Sequence, residues 1–134
     1  MIDLKKLVLE KKTVTIDFPG MEGFKLDLCY LGPEALKKLR DKCIVTKIDK
    51  KTRQAVSELD DEKFAKEFAV SVIKDWKGFK AKYVNELMLA DVSDLDENEE
   101  IDYSEDNVYA LFTTSNTFAQ WINEVVFDLS NFRS

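Results

Sequence analysis

The chain has 134 residues, 45% hydrophobic and 34% charged, with a net charge of −6 and no histidine. That length and balance describe one soluble-type globular domain able to bury a core. They exclude a basic nucleic-acid footprint, a bilayer-spanning apolar run, and any chemistry that needs imidazole as base, metal ligand or nucleophile activator.

Residues 1–12 carry a weak helical period (Leu4, Leu7, Val8) among several lysines, consistent with a short helix or a loose arm. Met1-Ile-Asp-Leu-Lys-Lys lacks the apolar middle of a signal peptide, so a cytoplasmic location is expected. Thr13 to Phe18 alternates and is rich in β-branched residues, Pro19 to Gly23 is a turn, and Phe24 to Tyr30 alternates again. Together, 13–30 predict an antiparallel hairpin with one buried face. Pro33 and Glu34 open a short helix over 33–44, with Ala35, Leu36, Leu39 and Cys43 on its buried stripe. Ile44 to Val56 reads as a small β-ribbon or an irregular loop, with the ribbon preferred. Cys29 and Cys43 lie in apolar surroundings without CxxC spacing, which predicts buried thiols.

The stretch Asp60 to Phe79 predicts the central helix, over 60–78. Phe64, Phe68, Val72 and Trp76 recur every four residues, Asp60 is placed to cap the start, and Gly78 is placed to stop the end. Ala81 to Val92 has a further helical stripe, with Val84, Leu87 and Met88. The segment Asp91 to Asp106 then carries nine acidic residues and no basic one, so the rest of the chain has 17 acids and 20 bases, a net of +3. Within it, 91–103 forms an acidic linker. Helices over 104–131 complete the chain, capped by Ser104 and by Thr114 or Ser115. On the last of these, Phe118, Trp121, Ile122, Val125 and Leu129 share one face, while Phe127 points half a turn away among polar residues. Phe127 is a contact point for a partner, a stray exposed ring, or a contact to the hairpin. The fold class that results is α+β, with the N-terminal hairpin packed on a bundle of about four helices.

Motifs with chemical meaning are few. Asp94, Asp96, Asn98, Glu100, Asp102 and Glu105 fall at calcium-loop spacing, but Glu99 occupies the position where the sharp turn needs glycine. The two readings are a calcium loop and a solvated, partly disordered acidic loop. Ser71 and Lys74 match an SxxK spacing without further catalytic partners or an oxyanion site. The lysines at 47, 50 and 51 with Arg53 read as a solvated tip or a contact to an acidic partner. The four glycines form no Walker or Rossmann pattern, so no cofactor and no enzymatic activity are expected.

In order along the chain come an alternating strand ending in Leu-Cys-Tyr-Leu-Gly-Pro-Glu, a short helix, and a longer one closing on Val72-Ile-Lys-Asp-Trp-Lys-Gly-Phe79. Tyr103-Ser-Glu-Asp-Asn-Val and a final helix with Phe118-Ala-Gln-Trp-Ile-Asn follow. From about residue 13 onward this resembles the tail assembly chaperones of long-tailed bacteriophages, although the acidic linker is longer than in a compact version of the pattern. The resemblance implies a non-enzymatic protein of the host bacterial cytoplasm, absent from the mature virion. Its client would be the tape measure protein, and a longer frameshifted form would recruit the tail tube protein. Trp76, Phe79, Trp121 and Phe127 are the expected contact residues, with Trp76 and Trp121 also compatible with a core position. Self-association is compatible with the sequence. The rival readings are another phage morphogenesis subunit (tail tube or head–tail joining), a calcium-binding module, and an enzyme working through carboxylates.

Overall fold

A computed structural model describes residues 1–133. The N-terminal arm holds one short helix, α1 (Leu4–Leu7), started by Asp3, whose carboxylate accepts the Lys5 amide. The hairpin follows as β1 (Lys11–Asp17) and β2 (Lys25–Leu31), paired antiparallel in a register that sets Val14 opposite Leu28 and Ile16 opposite Leu26. The alternation that predicts this hairpin is visible in the burial: Leu26 and Leu28 are fully buried, while Lys25 is exposed.

Helix α2 (Pro33–Lys42) begins with proline at its first turn, where a missing N–H costs nothing. Gly32 has no side chain to cap it, and the carboxylate of Glu10 takes that place, accepting the Ala35 amide at 3.3 Å. The ribbon preferred from the sequence is present as β3 (Ile44–Ile48) and β4 (Ala55–Leu59), a two-stranded sheet separate from the first. Lys47 of β3 pairs with Glu58 of β4 at 2.8 Å, and that contact raises the lysine's affinity for its proton.

Helix α3 starts where expected, with Asp60 accepting the Lys63 amide, but it covers only Asp61–Val72. The predicted continuation to 78 is corrected: Ile73–Lys77 is a strand, β5, and it pairs with β2 to complete a three-stranded sheet in the order β1-β2-β5. Val70, Val72 and Ile73 are β-branched, which weakens the helix at its end, and the open edge of β2 offers backbone partners. Trp76 lies opposite Leu26, and a bulge between Asp27 and Leu28 shifts the register before Ile73. Gly78 does adopt the left-handed conformation expected of it, at φ 74°, but as the stop of a strand.

Helix α4 (Ala81–Leu87) is shorter than its sequence stripe. Helices α5 (Glu105–Thr114) and α6 (Asn116–Val126) are capped as read from the sequence, Ser104 accepting the Asn107 amide and Ser115 the Phe118 amide. Ser115 ends α5 and begins α6, and its hydroxyl is buried and satisfied at that corner. A 3-10 turn, Leu129–Phe132, brings Phe132 back against Tyr30.

The result is α+β, an N-terminal hairpin extended to three strands and covered by helices. Helices α3 and α6 lie on β2, and α5 packs between α3 and α6. Phe24, Leu26, Leu28, Val72, Ile73, Val108, Phe118 and Ile122 form the dry centre. Cys29 and Cys43 are buried free thiols. No helix among the described residues is long and apolar enough to cross a membrane.

Candidate partner-binding surface

The aromatic residues separate into two groups, and the division decides which of them a partner can touch. The first is a continuous chain of rings through the core. Tyr103 meets Trp76 edge-on at 5.4 Å, and Trp76 meets Phe79 at the same separation. Phe79 stacks on Phe24 at 4.7 Å, Phe24 on Phe18 at 5.6 Å, and Phe18 reaches Trp121 at 4.6 Å. Trp76 and Phe79 keep only 6% and 3% of their surface exposed, so these two expected contact residues are core. The physical reason is β5: as a strand it turns Trp76 onto the sheet's covered face, and Phe79 follows the tight turn at Gly78 inward. Trp121 is half-buried against Phe18 and Phe118.

The second group opens outward. Phe68 of α3 lies at its centre, with Phe64, Phe112 of α5 and Phe127 around it at 5.9, 6.0 and 6.0 Å. Phe68 is buried, Phe64 and Phe112 are half-buried, and Phe127 is 50% exposed. Phe127 sits at the C-cap of α6, where the chain leaves the helix, and lies nearly parallel to Phe68 at 18°. On the same two helices, Lys66 of α3 lies 6.0 Å over the ring of Tyr109 of α5. Of the four residues singled out in the sequence, only Phe127 belongs to this open cluster. Phe64 and Phe112 were missed because each lies on an apolar helical stripe, and a stripe does not distinguish its centre from its edge.

A second apolar surface is the N-terminal arm. Ile2, Leu4, Leu7, Val8 and Leu9 are all exposed, and α1 buries no residue.

The acidic linker is solvated, as one reading expected, with Asp91 and Ser93–Glu100 all exposed, but it is also fastened to the fold. Its carbonyls at Glu99 and Glu97 accept the Ala81 and Lys82 amides, serving the start of α4, which has no side-chain cap. The Ile101 amide donates to the Phe79 carbonyl, the Trp76 indole N–H donates to the Ile101 carbonyl at 2.9 Å, and the Glu100 carboxylate accepts the Gly78 amide at 2.7 Å. Other carboxylates hold tight turns. Asp91 accepts from Ser93, whose hydroxyl lowers the acid's pKa, and Asp96 accepts the Asn98 amide. The calcium-loop spacing of Asp94, Asp96, Asn98, Glu100, Asp102 and Glu105 does not become a cage. Glu100 is directed at Gly78, and no group of three or more acidic, cysteine or histidine side chains among the described residues is placed to hold a metal ion.

At the linker's end, the Tyr103 hydroxyl donates to the Ile73 carbonyl at 2.6 Å. Burial raises its pKa, and the Asp75 and Glu105 carboxylates add to that shift, so the phenol stays a donor. Ser71 and Lys74 line a common cleft but make no hydrogen bond to each other among the described residues, and Ser71 lies on α3 while Lys74 lies on β5.

Fold and surface together define a small α+β domain with an open aromatic cluster around Phe68. A family model described as YdaY prophage protein matches residues 33–134, from α2 to the end of the chain, and the chain belongs to that family. It is therefore phage-derived. No curated protein and no solved structure matches it.

Proposed function

We propose that the chain is a phage tail assembly chaperone that holds the tape measure protein soluble during tail tube assembly. It acts in the host bacterial cytoplasm, catalyses no reaction and leaves before the virion is complete. A longer frameshifted form recruits the tail tube protein. Prophage family membership supports the phage setting, and the sequence resemblance supports the role.

The observation that carries the proposal is Phe127, half exposed and stacked on a buried ring between two half-buried ones. Such a cluster offers an aromatic surface to the apolar stripe of a helical client. The charged exterior keeps the complex soluble.

Removing the Phe127 ring tests this. Because half of the ring is already in water, Phe127→Ala is expected to lower the melting temperature by no more than about 5 °C. Capture of the tape measure protein in a pull-down titration is expected to weaken about 30-fold, the loss of a ~2 kcal/mol aromatic anchor. Unchanged capture by a folded Phe127→Ala chain would remove the aromatic cluster from the mechanism.

A further inference from the structure

A cleft of about 470 Å³ lies between β1, α2 and the junction of α3 with β5. Its floor includes the buried Leu31 and Leu39, and its rim carries Lys11, Lys38, Lys42 and Lys74, all exposed. Lys38 and Lys42 are four residues apart on α2, so they stand one turn apart on the same face. Two carboxylates also line the cleft. Glu10 is engaged at the start of α2, which leaves Glu34 against four lysines. Among the described residues none of the four lysines is in an ion pair. The volume is in the range of about 300–1,000 Å³ typical of ligand sites, and the combination of apolar floor and cationic rim selects an acidic peptide with an apolar anchor.

The chain itself carries such a peptide. Leu95 is 39% exposed and is flanked by Asp94, Asp96 and Glu97, within a segment that has nine acids and no base. No ion pair joins that segment to the cleft within one chain among the described residues, and its far end is fastened to Gly78 and Phe79 instead. We propose that the cleft binds the acidic segment of a second copy, with Leu95 on the apolar floor and the flanking carboxylates on the lysine rim. The contact closes as a reciprocal dimer where each copy fills the other's cleft, and otherwise runs head-to-tail into a ring or an open chain of copies. The contact is between charges at a surface and weakens with salt.

Sedimentation of the full chain alone, over a concentration series, tests this independently of any client. At about 0.02 M salt the average mass is expected to rise with concentration above the 15.5 kDa of one chain. At about 0.5 M salt it is expected to return to that value. The Lys38→Glu/Lys42→Glu chain is expected to associate at least about tenfold more weakly. A chain that carries these two changes together with Asp94→Lys/Glu97→Lys is expected to regain association, since the swapped charges again match. All four positions are exposed, and none of their side chains makes a hydrogen bond or ion pair among the described residues. A single-chain mass at low salt, undiminished association of the lysine variant, or failure of the chain with all four changes to associate would each overturn the proposal.

Discussion

Trp76→Ala is expected to be among the most damaging single substitutions in this chain, lowering stability by about 3–5 kcal/mol. The indole is 6% exposed, meets Phe24, Phe79 and Tyr103 edge-on, and lies between β5 and the acidic linker. Its N–H is also the donor to the Ile101 carbonyl. For a domain of ordinary stability, about 5–15 kcal/mol in total, this loss brings the folded state close to its limit, and a denaturant titration reads it directly. Trp76→Phe separates the two contributions. Most of the ring packing survives, but the carbonyl loses its donor, a loss of about 1–3 kcal/mol. The change falls on the linker, so cleavage by a glutamate-specific protease at Glu97, Glu99 and Glu100 is expected to accelerate more than global unfolding does. A Trp76→Ala chain as stable as the original would contradict the core assignment.

Gly78→Ala is expected to cost nearly as much, for a different reason. A left-handed φ costs an alanine about 1–2 kcal/mol, and Gly78 holds φ 74°. In addition, a Cβ here would overlap the backbone carbonyl of Gly23, in the turn between β1 and β2. Neither backbone can yield without disturbing the sheet, and overpacking of this kind adds about 1–3 kcal/mol. Gly20 supplies the control: it has φ 80° but open space around it. Gly20→Ala should show the conformational cost alone, and Gly78→Ala a fall in melting temperature at least about twice as large. Equal falls would mean that the close approach of the two turns carries no weight.

These two positions also mark where the sequence was readable and where it was not. Local chemistry was legible: Asp60, Ser104 and Ser115 cap the helices they were expected to cap, Pro33 opens α2, and the alternation of 24–30 sets Leu26 and Leu28 inward. What failed was the element whose period is ambiguous. Val72 and Trp76, four residues apart, continue the helical stripe, and the strand's own buried residues, Ile73 and Trp76, are three apart, which is a helical spacing too. Only the vacant edge of β2, a long-range partner, resolves Ile73–Lys77 as a strand. That single change moved Trp76 from a supposed contact surface into the core.

The open aromatic cluster was partly legible for the same reason. Phe127 stood out because it broke the polar face of its helix. Phe64 and Phe112 did not, because both lie on apolar stripes whose edges are defined only when α3, α5 and α6 meet. The order of the acidic linker was hidden as well. Its side chains are solvated as its composition suggests, but its backbone, through Glu97, Glu99 and Ile101, supplies partners to α4, Phe79 and Trp76.

The most direct test of the chaperone reading is the soluble yield of the tape measure protein, expressed with and without this chain in the same host. The account predicts that the long apolar-striped protein is recovered soluble, and bound to the chain, only when the two are made together. Equal solubility in both cultures, with no complex between them, would contradict it.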